Sequence, residues 1–176
     1  ALINRGEISR KAIEAHLIDA LKDDSTHELD YVQKRQLDDV VRVLPPVGHK
    51  ECLQRLLAAD VLLLVQVGAP ESIPGKVFEY VALGKPVLTI ADEGATQDLV
   101  KAEELGPCVV PDDSEGVEKA ILKLYQSRGA DDDLCAGCAS GRGRYDGQRL
   151  TGEMARVLES VVKEPTSNRR GQYDFF

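Results

Sequence analysis

Val61-Leu-Leu-Leu-Val-Gln-Val67 runs directly into Gly68-Ala-Pro-Glu-Ser-Ile-Pro-Gly-Lys-Val-Phe-Glu-Tyr80. The first part is a short, nearly continuous aliphatic run, the pattern of a strand buried on both faces of a parallel sheet. The second opens with two glycines and two prolines, which punctuate a loop. Apolar residues then return with helical spacing at Pro74, Val77, Phe78, Val81 and Ala82. Strand, loop and helix in this order form the repeating unit of doubly wound α/β sheets.

The same two signals alternate outward from this segment. Aliphatic runs at Ala1–Ile3, Val40–Leu44, Val87–Ile90 and Cys108–Val110 predict further strands. Helical stripes are expected at Ile13, Leu17, Ala20 and Leu21, and at Val117, Ala120, Ile121, Leu124 and Tyr125. Gly84-Lys-Pro86 and Gly106-Pro107 read as helix stops, the glycine capping and the proline preventing continuation. Asp113 or Ser114 is placed to cap the helix that follows. The polar stretch 23–39 suggests a short extra helix around Glu28–Leu37, and helix 150–161 carries Leu150, Met154, Val157, Leu158 and Val161 on one stripe. The expected fold is α/β, a Rossmann-like parallel sheet flanked by helices. Residues 1–127 form its body, 128–163 a glycine-rich connector and C-terminal helix of the same domain, and 164–176 a disordered tail.

Composition narrows the class. The chain has 176 residues, 43% of them hydrophobic, and a net charge of −8. A single domain of this size buries about 70% of its unfolded surface without needing cross-links. The acidity argues against nucleic acid as partner, because no broad positive field is available to neutralise phosphates. The longest aliphatic stretch falls well short of the ~20 residues that span a bilayer. No secretory leader opens the chain, which points to the cytoplasm, and its first residues read as the interior of a longer product. Cys135-Ala-Gly-Cys138 and His49-Lys-Glu-Cys52 have ligand-like spacing, but more than eighty residues separate the pairs. Small apolar roles for the cysteines are favoured, no metal is assigned, and His16 and His27 are expected to face solvent.

In open α/β sheets ligands sit beyond the carboxyl ends of the strands, which directs attention to the loop after Val67. A helix starting near Pro74 leaves the amides of Gly75, Lys76 and Val77 free to meet an anion at the positive end of its dipole. Lys76 adds a cation. Gly75 lies one turn before Glu79 and leaves room beside that carboxylate. Glu79 can accept hydrogen bonds from vicinal hydroxyls, as on a ribose or hexose, and Glu71 can do the same for a second sugar. Taken alone, these features leave solvated surface charges as the plainer reading.

Glu71 and Glu79 have seven residues between them, and Tyr80-Val-Ala-Leu-Gly-Lys-Pro-Val87 follows at once. This resembles the E-x7-E segment of the retaining, family-4-type glycosyltransferases of the GT-B fold. It is especially similar to the bacterial branch reading P-G-K-x-x-E-Y-x-A-x-G-x-P-V. Val43–Val47, Glu51 to Leu64 and Gly106–Asp113 resemble neighbouring strands and loops of that family, so the likeness spans about residues 40–127.

The resemblance implies the C-terminal, nucleotide-sugar-binding half of a hexosyl-type transferase that moves a sugar from a nucleoside diphosphate to an acceptor hydroxyl with retention. It implies that Glu79 holds the ribose and that Glu71 reaches the transferred sugar. Ile73, Pro74, Gly75 and Lys76 would line the sugar and pyrophosphate, Pro74 without an amide hydrogen to offer. Pro46 and Val47 would lie against the base, although Pro45 replaces a common glycine. No cofactor or metal is implied; a UDP- or GDP-type sugar is the donor substrate. The implied partner is a preceding domain of the same protein, through which alone a peripheral membrane contact would arise. The family's pyrophosphate-gripping Arg and Lys belong to a loop preceding Ala1, and Arg5, Arg10 and Lys11 do not match them. The 176-residue chain alone is therefore expected to be inactive. The C-terminal stripe is expected to fold onto this domain or to pair with a second copy. Half of a nucleotide-sugar epimerase and a non-catalytic binding or interaction domain stay open as alternatives, and polysaccharide biosynthesis is suggested by the family branch.

Overall fold

The computed structural model describes residues 2–18, 26–127 and 143–163. In chain order its elements are β1 (Ala15–Ile18), α1 (Thr26–Lys34), β2 (Val41–Leu44), α2 (His49–Ala58), β3 (Leu62–Gln66), α3 (Lys76–Leu83), β4 (Val87–Ala91), α4 (Ala95–Ala102), β5 (Cys108–Val109), α5 (Ser114–Gln126) and α6 (Gly147–Lys163). Every strand pairing is parallel. β1 pairs with β2, and β3, β4 and β5 form a second sheet in that order. The arrangement is α/β and Rossmann-like.

The core follows from strand parity. Leu62, Leu64 and Val87 point to one face of the three-stranded sheet, where they meet Val77, Tyr80 and Val81 of α3, Val100 of α4, and Leu105. Leu88 and Val109 point to the other face and meet Ala120 and Leu124 of α5. β4 is thus covered on both faces, as its continuous apolar run predicts. β3 is not, since Leu63 and Val65 are exposed on its second face. Composition alone cannot separate these cases, because coverage depends on which neighbour a strand receives.

Several expectations are corrected. Leu2 and Ile3 lie in a turn, not a strand. Gly6 at φ 73° donates to Ile3 O while Glu7 N–H donates to Leu2 O, the paired bonds that end a helical turn. The first strand is instead Ala15–Ile18, within the segment read as a helix; Ala20 and Leu21 lie outside the described residues. Ile13 and Leu17 are four apart, a spacing that suits an alternating strand as well as a helix. Gly106 is not a helix cap. Glu104, at φ 49°, takes that place after α4, with Leu105 N–H donating to Val100 O. Gly106, at φ 142°, instead lies against the carbonyl of Val87, where any Cβ would collide. By contrast, Gly84 caps α3 at φ 64° and Asp113 caps α5, accepting from Gly116 N–H at 2.8 Å.

Arg144 and Tyr145 dock the C-terminal segment onto the body. Both donate to Glu103, a carboxylate only 7% exposed, at 2.6 and 2.8 Å. Tyr145 also meets Phe78, ring centres 5.0 Å apart. Asp146 then accepts from Arg149 N–H at the start of α6. The apolar stripe Leu150, Met154, Val157, Leu158 and Val161 stays exposed, so α6 does not fold it onto this domain. The connector residues 128–142, with Cys135 and Cys138, and the tail 164–176 lie outside the described residues.

Candidate functional site

Of the residues singled out in the sequence, Glu71, Ile73, Pro74, Gly75, Lys76, Val77 and Glu79 follow the carboxyl end of β3. Glu71, Ser72 and Ile73 are exposed on the loop, and Gly75, Lys76 and Glu79 are exposed at the start of α3. Val77, Tyr80 and Val81 hold that helix against the sheet, Val77 and Val81 being essentially inaccessible. Because those three face inward, Lys76 and Glu79, one turn apart, share the outward side. Tyr80 adds a hydrogen bond from its hydroxyl to Leu63 O at 3.2 Å, and burial pushes its phenol above the ordinary tyrosine range.

The helix begins at Lys76, two residues after Pro74, and this changes which amides are free. Val77 N–H donates to Pro74 O at 3.0 Å and Phe78 N–H to Gly75 O at 3.2 Å, a tightened first turn. The expected free amide of Val77 is therefore spent within the turn. Gly75 and Lys76 precede the first of these bonds, and their amides are the ones available to an anion. Gly75 has φ −54° and ψ −30°, ordinary helical values, and a Cβ there would meet nothing within 4 Å. Neither backbone nor packing requires glycine at that position.

Pro46 and Val47 follow β2, immediately before α2, also at a strand's carboxyl end but in the other sheet. Arg5 and Arg10 are engaged elsewhere. Arg5 pairs with Glu7 and Glu118, and Arg10 with Asp39 at 2.6 Å. A hollow of about 310 Å³ opens beside Leu2, Arg5, Glu7 and the Glu115–Leu122 side of α5, with no lining residue from the β3 loop. Its charged lining is already paired, with Lys119 bonded to Glu115, and it offers no convergent free group. Among the described residues no three His, Cys, Asp or Glu side chains gather as for a metal, and no helix is long and apolar enough to cross a membrane.

Asp92, Gly94 and Thr96, just after β4, lie against the β3 loop and are not singled out by the sequence. Gly68 N–H donates to Asp92 Oδ2 at 2.6 Å, Ala95 N–H to Pro70 O at 2.8 Å, and Thr96 Oγ1 to Ser72 O at 2.7 Å. The available signal was the Asp and Gly at a strand's carboxyl end, the same type of signal that marks the β3 loop.

A parallel α/β sheet flanked by helices, with an exposed polar loop and helix start beyond its strands, is Rossmann-like and consistent with half of a GT-B fold. Over residues 7–127 the chain matches the model of the glycosyl transferases group 1, and it belongs to that family. The match opens well upstream of residue 40, where the likeness read from the motifs begins. No curated protein matches the chain.

Proposed function

We propose that the chain is the donor-binding, C-terminal half of a family-4-type retaining glycosyltransferase, which moves a hexosyl group from a UDP- or GDP-type donor to an acceptor hydroxyl. The observation that carries this reading is the exposure of Gly75, Lys76 and Glu79 at a helix start whose opposite side is buried, with Glu71 exposed on the loop that leads into it. Gly75 supports it, since a glycine that the fold does not need leaves space for a ligand.

In this reading Glu79 accepts from the ribose hydroxyls and Glu71 from a hydroxyl of the transferred sugar. The amides of Gly75 and Lys76, the helix dipole and the Lys76 ammonium meet the charge that grows on the departing diphosphate. Anchoring of the nucleotide by Glu79 orients the reacting carbon. Pro46 and Val47 lie against the base, and Ile73 and Pro74 against the sugar. The acceptor is met by the other half of the enzyme, so this chain binds donor without turning it over. The family branch extends the reading to polysaccharide assembly in the cytoplasm.

Titration calorimetry with UDP- and GDP-sugars tests the reading. Binding by one of the two series should weaken by about tenfold or more in Glu79→Ala, the loss of a carboxylate bonded to paired hydroxyls. If no nucleotide sugar binds, or Glu79→Ala binds as the parent does, the reading is lost.

A further inference from the structure

We infer that Asp92 and Thr96 are positioning residues that set Glu71 against the transferred sugar; the inference rests on the donor-binding reading above. The two glutamates are anchored by different means. Glu79 stands on α3, which is fixed through Val77, Tyr80 and Val81 in the apolar core. Glu71 stands on a loop, and the residues on either side of it are tied to the β4–α4 segment. Pro70 O accepts from Ala95 N–H at 2.8 Å and Ser72 O accepts from Thr96 Oγ1 at 2.7 Å. Thr96 is itself 2% exposed, so its hydroxyl is aimed by the surrounding protein and not by solvent.

Asp92 holds the entrance to the loop. Its carboxylate accepts from Gly68 N–H at 2.6 Å, a short bond of the charge-assisted kind, at a residue whose φ of 79° favours glycine. Gly94 completes the strap, because its lack of a side chain lets the Pro70 carbonyl approach where a Cβ would collide. The strap therefore controls the position of Glu71 while leaving Glu79 to the core. This separation gives a readout that a general loss of stability would not produce.

The experiment compares binding of a nucleotide sugar with binding of its free nucleoside diphosphate by the full 176-residue chain. Thr96→Val and Asp92→Ala should each weaken the nucleotide sugar about tenfold and leave the nucleoside diphosphate within about twofold. Thr96→Ser and Asp92→Asn, which keep the hydroxyl and the acceptor oxygen, should recover most of the loss. Equal weakening of both ligands, or none, overturns the positioning role. If the parent chain binds neither ligand, the donor-binding reading fails instead. Amide exchange then decides whether the strap exists: Asp92→Ala must speed exchange at Gly68, and an unchanged rate overturns the inference.

Discussion

The half of the chain built on β3, β4 and β5 and the pair β1–β2 use the same parallel strand-and-helix unit, yet they are buried very differently. β4 is covered on both faces and α3, α4 and α5 each send residues into the core. No residue of β1 or β2 is fully buried, and neither is any in α2. The local pattern of a strand and its helix is therefore not what fixes a site in place. A polar group is held in position when the opposite side of its own element has somewhere to be buried. Glu79 has that support from α3, whereas Pro46 and Val47 follow a strand with little beneath it.

Truncations in the two regions should differ most. Leu64→Ala removes a side chain with no accessible surface and should cost about 3–5 kcal/mol, while Leu17→Ala in β1 should cost about 1 kcal/mol. Urea denaturation measures both, and equal losses would break the contrast. Glycines sharpen it at smaller scale. Gly106→Ala drives a Cβ into the Val87 carbonyl at a φ of 142°, and a loss of about 2–3 kcal/mol is expected. Gly6→Ala meets open space and carries only the left-handed backbone cost, about 1 kcal/mol. Similar melting shifts for these two would show that the N-terminal turn is packed as tightly as the sheet. The smallest effect has the opposite sign. Thr89 Oγ1 is buried in β4 without a hydrogen-bond partner, so Thr89→Val should stabilise by about 1 kcal/mol. A loss on that substitution would mean that the hydroxyl is satisfied after all.

The better-buried half was also the more legible one. Val87–Ile90 could be placed because a strand covered on both faces leaves a continuous aliphatic trace, and Val61–Val67 leaves the same trace although Leu63 and Val65 are exposed. Ala15–Ile18 is short and mostly accessible, and such a strand leaves a trace that a helix can imitate. Leu2 and Ile3 failed in the reverse direction, as two apolar residues ending a helical turn look like the start of a strand. Glu71, Lys76 and Glu79 stood out because glycines and prolines mark their loop and because the spacing of the two glutamates resembles a known family's motif. Asp92 and Thr96 did not, since each reaches a partner 24 positions away. That distance is bridged by the register of β3 on β4, which sets Gln66 beside Ala91 and brings the two following loops abreast. Register is a property of the folded sheet, and no motif records it.

The Glu103 contact also bears on where this domain could be cut. A chain stopped at residue 127 would retain all five strands and both glutamates of the proposed site. It would also remove the Arg144 guanidinium and the Tyr145 hydroxyl that donate to the Glu103 carboxylate, and the ring beside Phe78. A cut that keeps these contacts therefore falls beyond Tyr145, because of one buried carboxylate and not of the last strand.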